Sequence, residues 1–128
     1  MITEIIFDWI KEGIRLNPPI TKAGISTCED ATGFKFPNDF IEFYLLHNGF
    51  EQYVMDSKLL SLWPIEKIQA EFDPKDGFIA FSDYLVSSHW IGYIKGQDGI
   101  YKDYNRTLIC TNFTEFLAHW KRKSLEYI

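Results

Sequence analysis

The chain has 128 residues, 46% hydrophobic and 17% aromatic, enough apolar material for one domain with its own core and too much for a disordered chain. Thirteen bases against eighteen acids give a net charge of −5, which argues against nucleic-acid binding, since a phosphate backbone needs clustered Lys and Arg. No apolar run approaches the roughly 20 residues that cross a bilayer.

The opening MITEIIFDWIKEG mixes acids into its apolar residues and lacks the basic start and cleavage site of a secretion signal. Thr3 can cap a first helix whose residues Ile6, Trp9, Ile10 and Gly13 share a face, with Ile2 and Ile5 beside it. Asp8, Lys11, Glu12 and Arg15 fall largely opposite, and Pro18-Pro19 stops the helix near Asn17. Ile20 and Ile25 flank Thr21 at the spacing of a hydrophobic staple. The helix that follows, through Cys28 to Thr32, contains Gly24, Ser26 and Thr27 and must depend on packing more than on propensity.

The stretch GFKFPNDFIEFYLLHNG, residues 33–49, reads as a short, deeply buried helix with a stop on each side. Gly33 can end the preceding helix in the left-handed conformation, and Pro37 suits the mouth of the next one. Asn38 or Asp39 can cap it, and with Asp39 as cap, Glu42 completes a capping-box spacing. Phe40, Phe43, Tyr44 and His47 line one face and Ile41 and Leu45 a second, the pattern of a helix covered on more than one side.

Residues 50–57 read as irregular, and 59–63 as a strand broken by Pro64. Ile65, Ile68 and Phe72 mark a short helix, and Asp73 to Gly77 a turn cluster. Strands are expected over 78–81, 89–94, 100–104 and 107–110, the second and third joined by a glycine-bearing hairpin at 95–99. A last helix opens at Asn112, with Glu115 three residues on and Phe113, Phe116, Leu117 and Trp120 facing inward. The order implies a single α+β domain over residues 1–128, an antiparallel sheet of about four to six strands with helices on one face.

In the central stretch, a glycine, an apolar residue and proline, an acid, an aromatic, then Glu-Phe and a closing Asn-Gly resemble the signature of the SUKH superfamily. That superfamily takes its name from fungal cell-wall synthesis regulators and includes bacterial immunity proteins against polymorphic toxins. Glu29 sits where the family often has an acid, residues 78–94 resemble its strand-loop-strand, and Asn112-Phe113 with Glu115-Phe116-Leu117 resemble its closing helix. The resemblance implies a cytoplasmic, non-enzymatic protein that blocks a cognate toxin domain, often a nuclease, by binding it. The other reading it allows is a regulatory scaffold or ligand-binding module with no toxin partner.

The residues themselves offer no obvious chemistry. His47, His89 and His119 share no metal-ligand spacing, and Cys28 and Cys110 are too far apart for a disulfide framework and read as reduced core thiols. Ser82, Asp83, Ser87, Ser88 and His89 lie close in sequence, but such neighbours usually bond their own backbone. The glycines form no phosphate cradle, so no cofactor and no metal are expected. What remains is a surface rich in aromatics and acids, from which Glu51, Tyr53, Trp63, Asp83, His89, Trp90 and Asp98 are the expected partner-binding residues. For Trp63 and Trp90 the plainer alternative is that they fill the sheet's core face. Acids outnumber bases seven to four in residues 1–50 and nine to five in 51–103, so the expected partner is a basic protein, with the chain itself a monomer or weak homodimer. No membrane contact is expected.

Overall fold

The computed structural model describes residues 2–51, 54–84 and 88–122. Helices α1 (Ile2–Glu12), α2 (Lys22–Thr32) and α3 (Asn38–Tyr44) come first, then strand β1 (Leu60–Leu62) and helix α4 (Ile65–Glu71). Strands β2 (Phe78–Tyr84), β3 (His89–Ile94), β4 (Gln97–Lys102) and β5 (Thr107–Cys110) follow, and α5 (Phe113–Lys121) closes the chain. The five strands form one antiparallel sheet in sequence order, β1-β2-β3-β4-β5. This is the α+β arrangement expected from the order of elements.

Helix ends show how the sequence sets the boundaries. Thr21 caps α2, its hydroxyl accepting the Gly24 N–H at 3.0 Å, and Gly33 ends that helix at φ +68° with its N–H on the Glu29 carbonyl. α1 begins at Ile2, so Thr3 lies inside it and is not its cap. It also stops earlier than Asn17. Gly13 turns left-handed at φ +90°, and the Gly13 and Ile14 N–H groups bond back to Ile10 and Trp9 as in a Schellman motif.

Two further caps come from distant segments. α3 has Pro37 at its N-cap and no side-chain cap there; Asp39 accepts the N–H of its neighbour Phe40 with one oxygen and, with the other, the Thr114 N–H at 3.0 Å in the first turn of α5. Asn112 serves the same turn by accepting the Glu115 N–H at 2.8 Å. Asn48 accepts the Ile65 N–H at 2.8 Å, capping α4, while its amide donates to Glu66 at 2.7 Å. Local spacing suggests a capping box within α3, but the carboxylate is used across the fold.

The core is a continuous aromatic stack. Phe40 lies flat against Phe36 at 4.4 Å and Tyr44 at 4.2 Å, and meets Phe81 and Phe113 edge-on. Trp9 meets Phe43, Phe50 and Trp120 edge-on and so fixes α1 to the body. Each such pair contributes about 0.5–1.5 kcal/mol beyond the area it buries. The inward face of α1 is therefore centred on Ile5 and Trp9, and Ile10, expected to face inward, is 59% exposed.

Gly92 is where the backbones of β2 and β3 come closest. A Cβ at that position would stand 2.0 Å from the Ile79 carbonyl oxygen, beside the irregularity between Ala80 and Ser82. Only a glycine fits without moving main chain. Gly92→Ala is expected to destabilise the protein by about 3 kcal/mol or more, the upper end of overpacking costs because the obstacle is backbone; urea denaturation of the two proteins measures the difference.

Candidate functional site

Strand alternation sorts the sheet into two faces. Phe81 and Tyr93 turn toward the helices, with Phe81 against Phe40, Phe113 and Phe116, and Tyr93 against Phe36 and Phe40. Trp90 and Gly92 therefore lie on the opposite face. The register extends that face across every strand: Ser61 pairs with Asp83, Asp83 with Trp90, Gly92 with Tyr101, and Tyr101 with Leu108. Trp63, the residue after β1, brings its ring onto the same face, edge-on to Trp90 at 5.1 Å. Arg106 reaches across from beyond β4, lies over Phe78 at 5.1 Å and pairs with Asp76.

The face has a buried layer and an accessible one. Trp63 is 2% exposed, with the Lys67 ammonium 4.7 Å above its ring, and its indole N–H donates to the 6%-exposed Asp83 carboxylate at 2.6 Å. These two residues, expected to contact a partner, lie beneath the surface of the face: neighbours cover the ring, and the indole occupies the carboxylate. Trp90 and Tyr101 above them are half-buried, and Leu108 is 54% exposed.

The other expected residues are scattered. His89 is half-buried, its ring 6.0 Å from Tyr84 at the end of the β2–β3 pair. Asp98 is exposed at the start of β4, its carbonyl accepting the Tyr101 hydroxyl at 2.7 Å. Glu51 is exposed but stands apart, beside Arg15 at 3.7 Å, next to Phe50, whose N–H donates to the Leu62 carbonyl at the outer edge of β1. Tyr53 lies outside the described residues. Tyr101 and Leu108, which complete the face, were not singled out from the sequence. Their signal was alternation carried across three strands, and the irregularities in the β3–β4 and β4–β5 pairings obscured it.

Of the groups close in sequence, Ser82 and Asp83 are engaged with other partners. The Ser82 hydroxyl donates to the Ser61 carbonyl at 2.6 Å and Asp83 is held by the indole. Among the described residues no three His, Cys, Asp or Glu side chains are placed to hold a metal. Asp56, a second buried carboxylate, accepts the Trp120 indole N–H at 2.6 Å and the Lys58 and Leu60 backbone N–H groups. Burial pushes the Cys28 thiol up to about 11 and the Cys110 thiol up to about 12, with Glu29 and Glu115 respectively adding to the effect. What the far face can do is bury aromatic area against another macromolecule.

A five-stranded antiparallel sheet with an aromatic helical side and an open far face is an α+β architecture of the SUKH type. The sequence profile of the SMI1 / KNR4 family (SUKH-1) matches residues 19–119, and the chain belongs to that family. No curated protein gives a significant match.

The two buried carboxylates should differ in cost when removed. Among the described residues, Asp56→Ala strands three donors and Asp83→Ala one. At about 1–3 kcal/mol per unsatisfied buried group, Asp56→Ala is expected to be the more damaging in denaturant titration. The thiols set a pH limit. Their folded pKa values lie above the ordinary 9.0, so their share of stability is complete below pH 9 and is lost as pH rises toward 11 and 12. Wild type is expected to lose stability between pH 9 and 11 more steeply than a Cys28→Ala/Cys110→Ala variant, as denaturant midpoints at each pH will show.

Proposed function

We propose that this protein is an immunity protein that binds a cognate toxin domain and blocks it by covering its working surface. The observation that carries this reading is the far face of the sheet in a chain of the SUKH-1 family. Trp90 and Tyr101 stand half-exposed there on a layer fixed by the Trp63–Asp83 bond. Rigid aromatics of this kind supply large contact area at small entropic cost and are enriched among residues that dominate binding. Leu108 and Asp98 extend the contact at its margins, and the net charge of −5 draws in a basic partner, a nuclease domain being one such surface. The binding step needs no cofactor and no bond-making. Glu51, on another part of the surface, contributes to attraction at a distance and not to this contact.

The family takes the name SMI1 / KNR4 from the fungal regulators, which keeps a second reading in view: a scaffold that recruits a cellular protein without neutralising anything. One experiment separates the two. The chain is used to recover its partner from the organism it comes from, and the partner is then expressed alone and with the chain. The immunity reading expects growth arrest by the partner alone and rescue by the chain. A partner harmless by itself overturns it. With a toxin in hand, Trp90→Ala and Tyr101→Ala are each expected to cost about 2 kcal/mol of affinity, roughly 30-fold in Kd, in a protein that still folds. Trp90→Ala also gives up the edge contact with Trp63, about 0.5–1.5 kcal/mol of stability. The association rate is expected to fall as salt rises, and a salt-independent rate would remove the electrostatic part.

A further inference from the structure

Helix α1 carries a second surface, on the helical side of the molecule and away from the Trp90 face. Ile5 and Trp9 fix its inner side, leaving Phe7 64% and Ile10 59% exposed. At 3.6 residues per turn, Glu4, Phe7 and Lys11 lie along one outward ridge with Ile10 beside it. A shallow groove of about 380 Å³ runs along this ridge, lined by Thr3, Glu4, Phe7, Asp8 and Lys121. Asp8 is bound to Lys121 at 2.7 Å, and Glu12 accepts the Ser57 N–H. Glu4 and Lys11 are different: neither makes a direct ion pair among the described residues, and they act only at longer range, Glu4 on Lys121 and Lys11 on Asp8.

We propose that this ridge binds the same ridge of a second copy, as an antiparallel α1–α1 pair about a two-fold axis near Phe7. The charge pattern carries the choice of occupant. Glu4 stands three residues before Phe7 and Lys11 four residues after it. Laid antiparallel on itself, the helix sets each Glu4 beside the Lys11 of the second copy, giving two reciprocal ion pairs around apposed Phe7 rings. Such self-complementarity is what a two-fold contact requires, and a foreign partner has no need of it. Ile10 fills the flank of the contact, and the groove takes up the rest of the opposing ring. α1 precedes residues 19–119, the span that matches the family. A helix of 11 residues is about 16 Å long and offers less than the roughly 800 Å² per partner of a standard interface, so the dimer is weak, in the high-micromolar range. The pair leaves the far sheet face of each copy free.

The test uses the full chain alone, so its outcome is independent of any toxin. Sedimentation equilibrium at concentrations up to the millimolar range is expected to show the mass rising from one chain toward two. Phe7→Glu is expected to hold it at one chain with an unchanged circular dichroism spectrum. Glu4→Lys, which sets like charges together twice, is expected to weaken association about fivefold or more, and adding Lys11→Glu to the same chain to restore it. A wild-type chain monomeric throughout overturns the proposal. Association indifferent to Phe7→Glu, or a double swap that recovers nothing, overturns it as well.

Discussion

The residue on which both sides of this molecule depend is Trp63. Its carbonyl accepts the buried Tyr44 hydroxyl at 2.6 Å, and Gly49 presses so close to that same carbonyl that a Cβ would come within 2.5 Å of it. Its N–H bonds the Phe81 carbonyl and so continues the sheet past β1. Its side chain then leaves on the far face, to the Asp83 carboxylate and the edge of Trp90. Main chain tied to the central helix and indole tied to the open face make one residue the link between core and surface. Any movement of α3 is therefore felt beneath the face that we propose meets a partner.

Buried acid–indole pairs recur as the way this chain disposes of polar atoms in an aromatic interior. Asp83 holds Trp63 and Asp56 holds Trp120, both at 2.6 Å. A buried indole needs one acceptor, and a carboxylate that also takes backbone N–H groups, as Asp56 does, pins a loop at the same time. Lys58 completes that second device by donating to the Trp120 carbonyl at 2.9 Å. The cost falls on the surface. Two of the acids that looked available to attract a basic partner are engaged inside.

Most of the architecture was legible because each element is punctuated by residues with a physical reason to be there. Thr21, Gly33, Pro37, Pro64, Gly77 and Asn112 stand within a residue or two of the ends of elements. The β3 and β5 spans agree with the expected 89–94 and 107–110. What could not be read was anything needing two distant segments at once. Asp39 and Glu42 have capping-box spacing, yet Asp39 serves α5. Ile10 has the helical phase of a core residue, yet the core is centred one step round, on Ile5 and Trp9. For the candidate face, the aromatic content was visible but its layering was not. Whether Trp63 or Trp90 lies on top is decided by which ring the other covers, and strand period alone is silent on that.

The bond between the Asp39 carboxylate and the Thr114 N–H joins positions 75 residues apart. α3 leaves the ribosome well before α5, and Phe113, Phe116, Leu117 and Trp120 all enter the core with α5. Until that helix emerges from the ribosome, the aromatic stack has an uncovered side, and the nascent chain carries sticky rings with nothing to meet them. The closing helix thus works as a latch that snaps shut only once its own residues have been made. A copy truncated before it would leave those rings bare.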